Sequence, residues 1–276
     1  MTVNPQPQNK RIQWKVLTIA VASMFIFLNL NIFDFTSQDA AAGSPPPSDT
    51  VNGVQYIQGD WNVYTTESYT DEIIDLTGNL YIHKNGVLKF QNVTLRMNVT
   101  SSTFYEIRVY DGGKFLISDG DNDPATTTDC SNITDSIFDV DNLLTTASDY
   151  RYLFFIDVGG ILEIKNSILR EIGTDFMSYT THTLNVNSAT ITMQNCTFSN
   201  SIGVYINSNY DINRRNALIE NTTFKNSLFG VVIEWSRNVD LKFNKFYNLD
   251  YIGLYYYNVY NLDISNCTFT NISSTF

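Results

Sequence analysis

The chain has 276 residues, 43% of them hydrophobic, which is enough apolar material for a sizeable core and excludes disorder along the whole length. Its 17 basic and 28 acidic residues leave a net charge of -11. Lys10, Arg11 and Lys15 sit in a first segment without acids, so the remainder is more acidic still. Such a surface repels phosphate backbones and anionic lipid headgroups, which argues against nucleic acid as a partner.

In chain order, residues 1–33 read as a signal peptide or membrane anchor: the basic cluster is followed by an uninterrupted apolar run of 13 residues, 16–28. That length suits the core of a secretory signal and falls short of the roughly 20 residues that span a bilayer. Ala40-Ala41-Ala42 fits a cleavage site before Gly43; if the run is counted on to Phe33, an uncleaved anchor is equally open. Either way the expected location of the rest is the extracellular face, anchored or secreted. Residues 34–53, with Pro45-Pro46-Pro47, read as a flexible Pro/Ala/Ser linker. Three cysteines, Cys130, Cys196 and Cys267, form no C-x-x-C pair, which argues against a zinc or redox site.

Self-similarity organises the rest. Residues 81–90, 107–117 and 153–164 each place two short apolar strands around Gly86, Gly113 or Gly160. The first two glycines are 27 apart and the next pair 47, which we read as one coil carrying a long excursion through 118–150. Further on the repeat tightens. Phe198, Phe224, Phe246 and Phe269 are spaced 26, 22 and 23, Asn200, Asn226, Asn248 and Asn271 keep the same spacings, and Gly203, Gly230 and Gly253 follow at 27 and 23.

A period of 22 to 27 built from short alternating strands, with no helical stretch between, predicts an all-β parallel solenoid over residues 54–276. Val204, Val231 and Leu254 should stack inward, as should Ile206, Ile233 and Tyr256, with the phenylalanines filling another side. The asparagines belong at a turn, where their amides can bond from coil to coil in left-handed backbone conformations, and the glycines at a matching corner. Cys196 and Cys267 occupy equivalent places three coils apart, about 14 Å at the usual strand spacing, beyond the ~7 Å that a disulfide tolerates. Both read as small core residues.

The motif Asn-x-Thr-Phe-x-Asn followed by Gly-Val resembles the right-handed parallel β-helix repeats of the pectin-lyase-like superfamily, including archaeal and periplasmic surface β-helix proteins, over about residues 76–276. The resemblance implies the right hand of the solenoid. It implies no single activity, because such proteins include polysaccharide lyases, glycoside hydrolases and surface proteins. The chain departs from the lyase and hydrolase patterns: it has no Asp-Asp pair, and His83 and His182 lack a Gly-His-Gly context.

The weak catalytic candidates are Glu234, Arg237, Asp240 and Lys242, close in sequence where one strand ends and another begins, with acids to abstract a proton or bind a cation and bases to stabilise negative charge. Tyr205, Tyr255 and Tyr257 should face outward as a flat aromatic stripe for sugar rings. Asp119, Asp121 and Asp123 place oxygen donors at alternating positions, a candidate calcium site, although Pro124 and Cys130 rule out an EF-hand. Seven N-x-Ser/Thr sequons occur, nearly what composition alone produces, and Asn92, Asn98 and Asn132 are the glycosylation candidates.

The expectation is an exported, cell-surface or secreted β-helix module with a structural, adhesion or glycan-contacting role and no evident catalysis. Its partners would be extracellular glycans or other surface proteins, with the membrane reached through the N-terminal segment. The alternative is a polysaccharide lyase or glycoside hydrolase of the pectin-lyase-like superfamily. The last repeat stops at Phe276 without a cap, so the expectation is a longer protein or, as the alternative, an end that pairs with another subunit.

Overall fold

A computed structural model describes residues 48–99, 104–119, 132–135, 152–173, 183–208 and 217–273. The signal or anchor expected at 1–33 lies outside the described residues, among which no helix is long and apolar enough to cross a membrane.

Strand β1 (Ser48–Val51) turns back through Asn52-Gly53, at φ 53° and 80°, to pair antiparallel with β2 (Val54–Gln58). Two successive left-handed residues give the tight hairpin turn for which Asn-Gly is suited. Strand β1 thus falls within the segment 34–53 that the composition reads as linker.

From β2 the chain winds in coils. β2, β3 (Trp61–Val63) and β4 (Thr66–Thr70) are followed by β5 (Ile73–Thr77), β6 (Leu80–Ile82) and β7 (Val87–Gln91), then by β8 (Thr94–Met97), β9 (Glu106–Val109) and β10 (Lys114–Ser118). Next come β11 (Asn132–Asp135), β12 (Leu153–Ile156) and β13 (Ile161–Lys165), then β14 (Ile168–Arg170), β15 (Leu184–Asn187) and β16 (Thr190–Gln194). After β17 (Thr197–Ser199), β18 (Val204–Asn207) and β19 (Ala217–Glu220), the strands lengthen: β20 (Thr223–Glu234), β21 (Arg237–Lys242), β22 (Lys245–Tyr257), β23 (Tyr260–Ser265) and β24 (Thr268–Ile272).

Parallel pairing of equivalent strands makes three faces. The first holds β2, β5, β8, β11, β14 and β17 and continues into the starts of β20 and β22 and into β24. The second holds β3, β6, β9, β12, β15 and β18 and the ends of β20 and β22. The third is an 8-stranded sheet from β4 to β23. Lys114 pairs directly with Ile161, so the interval from Gly113 to Gly160 is one coil rather than two.

The core is the inside of this prism, filled by alternate residues of every strand. Val204, Val231 and Leu254 stack in register, as do Ile206, Ile233 and Tyr256. Tyr256 is nonetheless 56% exposed, because no described strand pairs with 251–257 on its far side. Phe198, Phe224, Phe246 and Phe269 form one ring column with centroids 5.6, 5.1 and 4.7 Å apart. Gly230 is required where the wall closes on this column: an added Cβ would lie 2.1 Å from the Gly253 carbonyl oxygen and 2.6 Å from Phe246 Cδ1.

Asparagine makes the corners. Asn200, Asn226, Asn248 and Asn271 all sit near φ +50°, and Asn271 and Asn248 each donate to the asparagine one coil earlier, at 2.6 and 3.3 Å. A second ladder, missed by the repeat markers, turns the chain from the third face to the first through Asn166, Asn195 and Asn221. Just inside it runs a column of small polar residues. Ser167, Cys196, Thr222 and Cys267 each donate to the carbonyl two residues earlier, and Asn244 donates to the Ile219 carbonyl at 2.7 Å. These bonds bring a second donor to carbonyls at the corner, among them those of Gln194, Glu220 and Ser265, which also accept the backbone amides of Asn166, Asn195 and Phe243. Cys196 and Cys267 serve this column, as the sequence reading of small core residues implies; Cys130 lies outside the described residues.

Candidate functional site

The second face carries the densest outward chemistry. Register puts Asn62, Tyr81, Arg108, Phe155, Asn185, Tyr205, Val232 and Tyr255 in one row across it. Two residues further along each strand lies a second outward row, beginning Tyr64, His83, Tyr110 and Asp157 and later passing through Asn207, Glu234 and Tyr257.

Over β3, β6 and β9 the second row is a pile of rings. His83 stacks on Tyr64 at 4.2 Å and 12°, and on Tyr110 at 5.0 Å and 18°. Its Nε2 pairs with Asn62 Oδ1 at 2.8 Å. Burial lowers the His83 pKa, so the imidazole stays neutral and behaves as a third flat ring. Tyr81 is 6.0 Å from Tyr110, and its phenol pKa is pushed up to about 12 by burial and then by Glu106 and Asp60.

Arg108 closes the upper side of this pile. Its guanidinium lies 4.5 Å over the Phe155 ring. Nη2 donates to Glu106 Oε2 at 3.2 Å and Nη1 to Asp157 Oδ2 at 3.4 Å. Burial alone would lower the Arg108 pKa, but Asp157 and Glu106 outweigh it and the net direction is up. Burial raises the Asp157 carboxyl, with Arg108 pulling the other way. The result is a half-buried cation between two acids, beside four aromatic side chains and an imidazole, on a rigid sheet.

The residues expected from sequence are distributed differently. Glu234 accepts from the Tyr205 hydroxyl at 3.0 Å on the second face. Arg237 turns the corner and lays its guanidinium 4.9 Å over Tyr260. Asp240 and Lys242 stand on the third face, where Lys242 Nζ bonds Asp240 at 3.1 Å and Asp263 at 3.3 Å, so the four do not converge. Tyr205 lies in the outward row with Tyr255, but it is only 5% exposed, its hydroxyl taking a bond from Asn207 Nδ2 at 2.9 Å. Tyr257, 50% exposed, meets Trp235 edge to face at 5.2 Å.

Asp119 is buried and accepts from Asn166 Nδ2 at 3.1 Å, which makes it the first rung of the second ladder; Asp121 and Asp123 lie outside the described residues. No group of three or more metal-ligating side chains occurs among the described residues. Asn92 and Asn98 are half-buried, their amides donating to Asp71 at 2.6 Å and to Thr77 at 2.9 Å. Asn132 lies in β11.

Tyr64, Tyr81, His83, Glu106, Arg108, Tyr110, Phe155 and Asp157 were not singled out from sequence. A usable signal was present: His83, Tyr110 and Asp157 each precede the aligned glycines Gly86, Gly113 and Gly160 by three positions. Aligning on glycine alone puts them in one row.

Residues 152–275 match the family model described as right handed beta helix region. No curated protein and no solved structure matches the chain.

Proposed function

Because the chain is a right-handed parallel β-helix repeat protein, we propose that it is an exported, cell-surface or secreted module that contacts glycans through the outer surface of the second face, in a structural or adhesive role. The observation that carries this reading is the ring pile Tyr64–His83–Tyr110 flanked by Arg108 between Glu106 and Asp157. Flat rings receive the C–H faces of sugars, and a fixed cation with two acids at the edge supplies donors and acceptors for hydroxyl groups. Export is supported by the basic and apolar pattern of residues 1–33, and calcium is a candidate aid through the acidic segment after Asp119.

A role without turnover is favoured because both carboxylates of the cluster are engaged by Arg108. The second reading, a polysaccharide lyase or glycoside hydrolase, draws on Asp157, whose burial favours the protonated form needed for acid–base work.

A glycan array with and without calcium, probed with the wild type and with Arg108→Ala and Tyr110→Ala, tests the choice. Retention that falls at least tenfold in both variants, without product, supports contact. Release of shorter or unsaturated sugars, lost in Asp157→Asn, supports the enzyme. Retention unchanged in both variants would remove this face from consideration.

A further inference from the structure

The asparagine ladder between the third and first faces changes character at one rung. Lys242 pairs with Glu220 below and Ser265 above, so Phe243 stands where Asn221 and Asn266 stand in the neighbouring coils. Its backbone follows the ladder, with φ at 57° and the amide donating to the Ser265 carbonyl at 2.9 Å. Asparagine adopts that left-handed conformation readily, whereas a bulky aromatic residue does so only under strain. The ring gains little burial in return, being 50% exposed.

The substitution also opens a hydrogen-bond site. Asn195 donates to Asn166 at 2.9 Å and Asn221 to Asn195 at 2.8 Å, so each Oδ1 is filled by the next amide. Phe243 has no donor to offer Asn221 Oδ1, and no hydrogen bond reaches that oxygen among the described residues. Beside it the strand ends present Lys165, Gln194 and Glu220, with Gln194 Nε2 donating to Glu220 at 2.9 Å. Together these line an open groove of about 520 Å³.

We propose that this groove binds a neutral pyranose ring, with Phe243 as the stacking platform and Asn221 Oδ1 and Glu220 as acceptors for its hydroxyl groups. One cation and one acid line the groove, so neither an anion nor a cation meets a one-signed wall. The acceptors at its floor call for hydroxyl donors, and the ring calls for a C–H face. A strained backbone carrying a half-exposed aromatic ring fits a platform open to a ligand. The site stands on a different corner from the Arg108 cluster and uses none of its residues.

Titration calorimetry of the full chain with the methyl pyranosides of glucose, galactose and mannose tests it. At least one should bind the wild type, and Phe243→Asn should weaken it tenfold or more while raising the thermal midpoint, because the new asparagine closes the ladder. Phe243→Leu, which keeps an apolar side chain without an aromatic face, should lose binding as well. Failure of all three sugars to bind the wild type would overturn the proposal. So would unchanged affinity in Phe243→Asn.

Discussion

Phe224 lies flat against Phe246, their ring centroids 5.1 Å apart and their planes 8° from parallel. The two residues are 22 apart in sequence and directly paired in register, so one contact joins two coils through the core as well as through the sheet. Phe198 extends the column below and Phe269 above.

Truncating Phe224 removes contacts on both sides of the column and leaves a void that parallel strands cannot close. Phe224→Ala is expected to cost about 3–5 kcal/mol in urea unfolding. Phe269→Ala should cost clearly less, since Phe269 is 47% exposed. Equal losses would show that the column does not act through burial.

Asn195 does two jobs: it holds a left-handed corner at φ 56° and bonds both ladder neighbours, giving its amide to Asn166 and accepting from Asn221. Asn195→Ala loses both bonds and keeps a Cβ in that conformation, an expected cost of about 3–4 kcal/mol. Asn195→Gly loses only the two bonds, about 2 kcal/mol. Unfolding curves for the pair separate conformation from hydrogen bonding, and a glycine variant as unstable as the alanine one would contradict the division.

His83 makes stability depend on pH. Its folded pKa is held below the ordinary 6.5 by burial, so the unfolded chain takes up a proton first as pH falls. Between the two values the unfolded state binds more protons, and stability therefore drops as pH falls through 6.5 and below, with no contribution above it. The thermal midpoint of the wild type should fall more between about pH 7 and about pH 5 than that of His83→Gln. Parallel falls would mean that His83 is not the source.

Much of the fold was legible because the repeat is local. Phe198, Asn200 and Gly203 recur in order through the coils up to Gly253, and that order survives changes in loop length elsewhere. The charged quartet is spread by the fold: Glu234 and Lys242 are eight residues apart, but the corner at Trp235-Ser236 sends them to different faces. Arg108 and Asp157 are 49 residues apart, across the excursion, and yet meet at 3.4 Å. Proximity along the chain was a poor guide, and register against glycine would have served better.

The sequence by itself determined the coil, the inward rows and the corner asparagines, because each follows from a period and an alternation that neighbouring residues impose on one another. Tertiary structure decided what the outward rows do: that Tyr205 is covered, that Arg108 is clasped by Glu106 and Asp157, and that Phe243 interrupts a ladder. Outward positions carry no packing rule of their own. Their neighbours depend on how coils of unequal length come into register, and only the folded stack sets that.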